Sequence, residues 1–453
     1  MTRSPASPRP VRTGRYRYSK LRWRLLAHAV DGVGTVAMRA WRCVQPERAA
    51  PAPRRILLIQ LDHLGDSVLS SPLIENLRKA YPDAALDVLA SPSNHEVFEA
   101  DPRIDRVRVA AKTWFERYPG RWSMLRAVWD LGRSIRGEGY DLGIDVRGDI
   151  LTVLVLALGG VPRRVGWTMG GGGFLLTDVA RWVRGRHEVR SRMALLEPLG
   201  IEAEPEPRAV VHVTGRDRAA AARVLAEAWP RRSARRAEVP VGAAVAADSA
   251  GWSRPRDLRP VPLPPIPAEA GDALHAGRFG HMPPLLAIHT GAGTAAKRWP
   301  AAHWCELARR FLQDGWRIVV VGGPDDLPSS EGLPRHDRLR NVAGKLSVTQ
   351  TAALLERADL FIGADSGPAH LAASAGTLSV VLFSGTNHAA QWRPWSRHSL
   401  ILRHKVPCRP CHQKACPLAD HPCMSELTPD RVHRAAIRWW SRVHHAESPH
   451  NPI

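Results

Sequence analysis

The sequence predicts an α/β protein built on parallel β-sheets, because three short apolar runs each break into a small-residue or polar loop that opens a helix. The runs are residues 56–59, 285–288 and 360–362. They suit strands buried on both faces, as parallel sheets require. In such sheets ligands sit at the carboxyl ends of the strands, where helix N-termini leave backbone amides free for phosphate. At 453 residues the chain has room for two domains of this kind plus extensions.

Residues 1–53 read as a basic extension. The first fifty residues hold 11 Lys and Arg against 2 acids, a large share of the net charge of +21. Leu26, Val30, Val33, Ala37, Trp41 and Val44 recur at helical spacing, with Arg22, Trp23 and Arg24 alongside. This pattern fits a basic amphipathic helix lying on an anionic membrane. A solvated basic arm would carry the same charge, and Gly32 and Gly34 count against the helix. No stretch reaches the roughly 18 apolar residues that suggest a membrane span. The longest, residues 150–161, has the length of a buried helix or strand. The N-terminus shows no apolar core followed by a cleavage site, so the expected place is cytoplasmic, peripheral on the inner face of the inner membrane.

Residues 54–228 form the first expected domain. Its opening strand, residues 56–59, ends in Asp62-His63-Leu64-Gly65-Asp66, and helical spacing follows over residues 67–79. Asp66 would lie in the first helical turn, where the macrodipole favours its ionised form. A plain helix-start acid would look the same. The loop is not a G-x-G-x-x-G fingerprint, so a dinucleotide site is not signalled. Residues 141–149, DLGIDVRGD, read as a strand ending in Asp145, Arg147 and Asp149. With Arg164 after the next apolar run, Asp145 and Arg147 are candidates for contact with an anionic acceptor.

Residues 229–283 hold nine prolines in 55 positions, including RPVPLPPIP. The segment reads as a disordered insertion or linker. The second expected domain covers residues 284–432, with a C-terminal helix and tail at 433–453. After the strand at 285–288 comes His289-Thr290-Gly291-Ala292-Gly293-Thr294, then Lys297-Arg298-Trp299-Pro300. Small residues admit a phosphate close to backbone, hydroxyls add donors and Lys297 adds charge. The Gly-Lys-Ser/Thr ending of a P-loop is missing, so nucleotide hydrolysis is not implied. Residues 359–370, DLFIGADSGPAH, place Asp365, Ser366 and Gly367 where a strand empties into a helix.

Gly65-Asp66, Lys297-Arg298-Trp299-Pro300, residues 319–323 before Pro324-Asp325, and Asp365-Ser366-Gly367-Pro368-Ala369-His370 occur in this order. Together, across residues 54–228 and 284–432, they resemble glycosyltransferase family 9, the heptosyltransferases of the lipopolysaccharide inner core. The resemblance implies a GT-B fold, two Rossmann-like domains facing a cleft, with acceptor on the first and nucleotide sugar on the second. It also implies inversion at the anomeric carbon without a divalent metal and without a cofactor. Asp66 matches the general base and Lys297 the cation that holds the donor diphosphate. Asp365, Ser366 and Gly367 match the donor loop with His370 beside it, and Gly323 and Asp325 fall where the nucleoside is held. Thr290 and Thr294 bracket Gly-Ala-Gly, so either could meet phosphate, with Gly293 beside them. The implied partners are ADP-heptose or a related nucleotide sugar, a lipid-linked saccharide and an anionic membrane surface.

Four of the six cysteines lie at 408, 411, 416 and 423. Cys408, Cys411, Cys416 and Cys423 could hold a structural zinc, or stand as reduced thiols or a redox-labile pair. The charge and this cluster also admit a basic nucleic-acid-associated protein. Against that reading, no helix-turn-helix, RRM or tandem-finger pattern appears and aromatics make up only 6%.

Overall fold

The computed structural model describes residues 21–42, 52–110, 121–229 and 283–446. All but the two end residues of the proline-rich insertion therefore lie outside the described residues. A helix, α1 (Leu21–Arg42), precedes the first sheet. That sheet takes β1 (Arg55–Gln60), β2 (Ala85–Ala90), β3 (Arg106–Val109), β4 (Leu142–Asp145), β5 (Arg163–Gly166) and β6 (Asp178–Val179). Between them run α2 (Leu64–Ala80), α3 (Glu96–Glu99), α4 (Arg121–Ile135) and α5 (Ile150–Leu158), followed by α6 (Glu188–Met193) and α7 (Gly215–Ala228). The second sheet takes β7 (Leu285–His289), β8 (Arg317–Val320), β9 (Leu339–Asn341), β10 (Leu360–Ala364), β11 (Ser379–Phe383) and β12 (Ser399–Arg403). Its helices are α8 (Ala301–Gln313), α9 (Val348–Leu355), α10 (Gly367–Ser374), α11 (Ala389–Trp392), α12 (Pro422–Ser425) and α13 (Pro429–Ala446).

Both sheets are parallel throughout and share one topology. The first runs β3-β2-β1-β4-β5-β6 and the second β9-β8-β7-β10-β11-β12. In each, the strand order reverses beside the first strand, between β1 and β4 and between β7 and β10. Crossovers leave in opposite directions there and open a crevice at the carboxyl edge. The predicted site loops after β1, β4, β7 and β10 reach the two crevices, the Gly323–Asp325 turn follows β8, and Arg164 lies within β5. The apolar runs are central strands because both their faces are covered. Every residue of β7, β8, β10 and β11 is buried.

The domains join through helices. α7 belongs by sequence to the first domain, yet it packs on α9 of the second. Thr349 donates to Asp217 at 3.1 Å, and Arg218 pairs with Glu356 at 2.8 Å. One apolar cluster contains both Ile56 and Leu58 of the first sheet and Ala287 and Phe361 of the second. The apolar stretch at 150–161 is a helix over most of its length, α5, capped by Asp149, whose side chain accepts from Leu151 N. The C-terminal helix begins at Pro429 rather than 433 and lies on α8 in the second domain, with Trp440 against Trp316 at 5.2 Å.

The helix predicted near the N-terminus forms as α1 despite Gly32 and Gly34. Its orientation inverts the usual rule. Asp31 faces the first domain, fully buried, and accepts from Gly172 N at 2.7 Å. Gly34 meets the ring of Phe174 so closely that a Cβ there would stand 2.6 Å from it. The apolar side chains Leu25, Val33 and Val36 point outward and are 59%, 74% and 71% exposed. Among the described residues no helix is long and apolar enough to cross a membrane.

Candidate active site

The first-domain half of the site grows from the loop after β1. The chain leaves the sheet at Gln60, passes Asp62, and enters α2 with Asp66 in its first turn. Arg192 on α6 comes in from the side with only 3% of its side chain exposed. It donates to Asp66 Oδ1 at 2.9 Å, Ser70 Oγ at 2.6 Å and Glu188 Oε2 at 2.5 Å. Asp62 pairs with Arg147, which also reaches Asp149 at 3.4 Å. Four acids, Asp62, Asp66, Asp149 and Glu188, and two guanidiniums therefore share one small volume.

Burial, and next the charge of Asp62, pushes the Asp66 carboxyl up to about 7, while Arg192 pulls the other way. The helix-dipole expectation thus loses to desolvation, because a carboxylate under protein sheds water that one helix end does not replace.

Two candidates in this half are corrected. Asp145 ends β4 at the right edge, but its side chain is fully buried and accepts from the amides of Arg147 and Gly148 at 3.0 Å each. It shapes its own loop and does not face a ligand, and burial pushes its carboxyl up to about 7. Arg164 pairs with Gly143 inside the sheet, short of the carboxyl edge where Asp145 stands. Its guanidinium donates to the carbonyls of Leu175 and Val161. Arg147 alone of the three proposed acceptor residues joins the site.

The second-domain half is built from four loops. Lys297, in a single turn after Thr294, pairs with Asp365 Oδ2 at 2.7 Å and donates to the Asp365 carbonyl at 3.2 Å. Asn387 donates to the same carboxylate oxygen at 3.2 Å. His289, at the end of β7, lies 3.1 Å from Ser366 Oγ through Nδ1 and 3.1 Å from Asp326 Oδ2 through Nε2. Asp326 also caps the Gly323 amide at 2.9 Å. So Asp326, and not the exposed Asp325, organises that turn. A Cβ on Gly291 would stand 1.8 Å from Asp326 Oδ1, which is why this loop needs glycine at that position. Of the two threonines, Thr290 is engaged with Ser329 Oγ at 2.8 Å. Among the described residues, the buried Thr294 hydroxyl has no hydrogen-bond partner, nor has Nδ1 of His370. Gly293 has open space around its Cα.

The two halves meet at helix N-termini. A Cβ on Gly65 would lie 2.7 Å from the His370 ring, and one on Gly367 would lie 2.7 Å from Leu64. Burial holds the His370 imidazole down to about 4, so it sits neutral between the domains. His187 Nε2 lies 2.9 Å from the Arg393 carbonyl, and Gln391 donates to Glu188 at 2.7 Å, closing the same crevice.

The zinc expectation is not met by the geometry. Cys423 is buried, Cys411 and Cys416 are half-buried and Cys408 is exposed. Among the described residues no three His, Cys, Asp or Glu side chains are grouped to hold a metal. The segment acts as a buttress through its backbone. Lys414 O accepts from Ala296 N at 3.0 Å and Cys411 N donates to Gly385 O at 2.9 Å, while His421 lies 3.1 Å from Ala296 O. These bonds steady the turn that carries Lys297.

The sequence profile of glycosyltransferase family 9 (heptosyltransferase) matches residues 128–421. The chain belongs to glycosyltransferase family 9. Lipopolysaccharide heptosyltransferase 2 of Escherichia coli K12 is 23% identical over 394 residues, 83% of this chain and 96% of that protein. Lipooligosaccharide heptosyltransferase 2 of Campylobacter jejuni is 30% identical over 155 residues, a third of this chain and 48% of that protein. The structure of E. coli ADP-heptose lps heptosyltransferase II superposes with a TM-score of 0.62 at 19% identity, covering 86% of this chain and 99% of the other. That of a Veillonella parvula family 9 enzyme also gives 0.62, at 22% identity and 86% and 97% coverage. Both support the GT-B fold. Membership decides for a transferase over the nucleic-acid reading.

In this glycosyltransferase, sequence reasoning missed Asp62, Glu188, Arg192, His289, Asp326 and Asn387. His289 and Asp326 stood within the recognised loops and could have been found as titratable neighbours of Ser366 and Gly323. Glu188 and Arg192 carried no signal, since the fold alone brings α6 under α2. Truncating Arg192 to Ala would leave Asp66 and Glu188 buried without their cation. The expected loss is about 3–5 kcal/mol, read from urea unfolding. A variant as stable as the wild type would show that the three groups are hydrated rather than buried together.

Proposed function

We propose that the enzyme transfers a heptose from a nucleoside-diphosphate donor, ADP-heptose, to a lipopolysaccharide core or related lipid-linked saccharide, inverting the anomeric centre without a divalent metal. The observation that carries this reading is the juxtaposition, across the Gly65–His370 contact, of a carboxyl poised near 7 with the Lys297–Asp365–Ser366 loop. The donor is supported by relatives of the same fold. A 15% identical E. coli heptosyltransferase with a TM-score of 0.57 was solved with ADP.

Asp66 takes the proton from the acceptor hydroxyl as its oxygen bonds to the anomeric carbon. The bond from that carbon to the diphosphate breaks on the opposite face, which is inversion. Charge developing on the leaving group meets Lys297, the Ser366 hydroxyl and the Gly367 amide at the start of α10. The partnerless Thr294 hydroxyl is an available donor on the same loop. Lys297 has its charge balanced by Asp365 beforehand, so a diphosphate competes with a carboxylate that Asn387 also holds.

A general base works ionised, so kcat/KM is expected to fall as pH drops through about 7, the value to which burial raises Asp66. In Asp66→Asn this limb should vanish and turnover should drop roughly 10²–10⁴-fold. A pH profile that stays flat down to 5, or an Asn variant with ordinary turnover, removes Asp66 from the role.

Metal independence rests on the donor loop itself. Asp365 pairs with a lysine rather than a second acid, and Asp326 is committed to His289 and the Gly323 amide. Turnover should persist in excess EDTA; loss restored by Mg²⁺ or Mn²⁺ would overturn this part of the reading.

Membrane contact is assigned to α1. Its outward apolar side chains oppose a buried aspartate, its sequence carries Arg22, Arg24, Arg39 and Arg42, and the chain is strongly basic. An anionic bilayer complements both features. The Gly173–Leu175 turn that receives α1 also packs on α5, which follows the Asp149 loop, so docking would place the acceptor side at the lipid surface. The protein should float with vesicles rich in phosphatidylglycerol, and Val33→Glu/Val36→Glu should abolish flotation without changing thermal stability. Flotation unaffected by the double variant would reject α1 as the contact.

A further inference from the structure

Glu188, to which the transfer chemistry above gives no role, joins the second domain to the proposed base. Its carboxylate faces two ways. Oε2 accepts from Arg192 at 2.5 Å, and Oε1 accepts from the Gln391 amide at 2.7 Å. Arg192 in turn donates to Asp66 Oδ1 at 2.9 Å, so hydrogen bonds run in series from the second domain to Asp66. A guanidinium is a rigid fork. With Ser70 Oγ on its Nε at 2.6 Å, a shift of Glu188 turns the whole group and moves the nitrogen that meets Asp66.

The short helix α6 that carries Glu188 is gripped from the same side. His187, its N-cap, accepts from Val189 N at 3.2 Å through Nδ1, which leaves Nε2 to donate to the Arg393 carbonyl at 2.9 Å. The His187 ring lies 4.5 Å from that of Trp395, and Arg190 stands over the same indole at 5.5 Å. Gln391, Arg393 and Trp395 belong to the segment between β11 and β12. So does Asn387, which holds Asp365 and through it Lys297. One segment therefore touches both the Lys297 loop and the Asp66 network.

The charges around Asp66 show what Glu188 does there. Asp66 is faced by Asp62 from its own loop, by Arg192 and Glu188 from α6, and by Arg147 from the loop after β4. α10 presents His370 and the start of α6 adds His187, with Arg393 behind it. Burial holds both imidazoles neutral, down to about 4 and about 3. On α3, Glu96 accepts from Val348 N and Glu99 pairs with His95. Burial opposes the charge on Arg192, and Glu188 offsets more of that penalty than Asp66 does. Glu188 thus competes with Asp66 for one cation, and its own negative charge disfavours an ionised Asp66.

We propose that Glu188 is a positioning residue: anchored by Gln391 of the second domain, it holds Arg192 in place and limits how much of that cation's charge Asp66 receives. The proposal rests on Asp66 being the base, but its electrostatic part is read without turnover. The test takes full-length Glu188→Gln and Gln391→Leu, each alone and each combined with Asp66→Asn. In Glu188→Gln the amide keeps an oxygen for Arg192, and the Gln391 amide can turn over to accept, so the network survives without the charge. A carboxyl that loses a like-charged neighbour and gains a larger share of a cation ionises at lower pH. The acid limb of kcat/KM should therefore move down by roughly half a unit or more, with the affinity for ADP unchanged. The ¹³C carboxyl titration of Asp66 in aspartate-labelled protein, identified by its absence from Asp66→Asn, should move the same way. Gln391→Leu removes only the anchor. Its kcat should fall about tenfold or more, because small displacements of a reacting group are costly, while KM for both substrates holds. Neither substitution should lower the residual turnover of Asp66→Asn further, since both act through the group already removed.

An unmoved ¹³C titration in Glu188→Gln overturns the proposal. So does a loss in either variant that persists undiminished beside Asp66→Asn, as a merely structural role would produce. Wild-type kcat in Gln391→Leu overturns it too, and that arm decides even if Glu188→Gln does not fold. A titration that moves while the wild type shows no acid limb would instead remove Asp66 as the base and leave the Glu188 link standing.

Discussion

Two helices, α2 and α10, meet near their N-termini across the domain boundary, and a glycine on each makes room for a side chain of the other. Gly65 faces the ring of His370 and Gly367 faces Leu64, each at a distance that excludes a Cβ. This close approach sets the separation of the two crevices, and so the distance between Asp66 on one side and Lys297 and Ser366 on the other. The rest of the site is arranged around that exclusion.

The electrostatics follow. Asp66 lies under protein beside Asp62, with Glu188 close by, and its carboxyl would be costly to ionise without Arg192 and Arg147. The opposing influences leave it near 7, where a carboxyl can both accept and release a proton. On the other side burial holds His370 neutral. Lys297 is balanced by Asp365 and steadied by a cysteine-rich segment that works through backbone hydrogen bonds. Asp66 and Lys297 are thus both held in place by charged partners, the preorganisation that the proposed chemistry would draw on.

Outside the crevice, α1 turns apolar side chains outward and its acid inward, the arrangement on which the proposed contact with an anionic bilayer rests.

Much of the architecture was legible in the sequence. Short apolar runs followed by glycine and acid are strand-to-helix turns, because local backbone preference and burial on both faces leave few other solutions. The same logic proposed Asp66, Lys297, Asp365 and Ser366, all of which lie in the segments that follow β1, β7 and β10. Asp145 and Arg164 were misplaced because residue type and order do not report direction. An acid at a strand end can turn inward to cap its own loop, and an arginine can begin its strand instead of ending it. Arg192 and Glu188 escaped notice because their importance comes from partners that pack against them in space. The chain by itself therefore determined which loops could carry chemistry, since that depends on neighbours along the backbone. The tertiary structure alone decided which side chains face one another and how far burial shifts their proton affinities, because desolvation and pairing depend on residues distant in sequence.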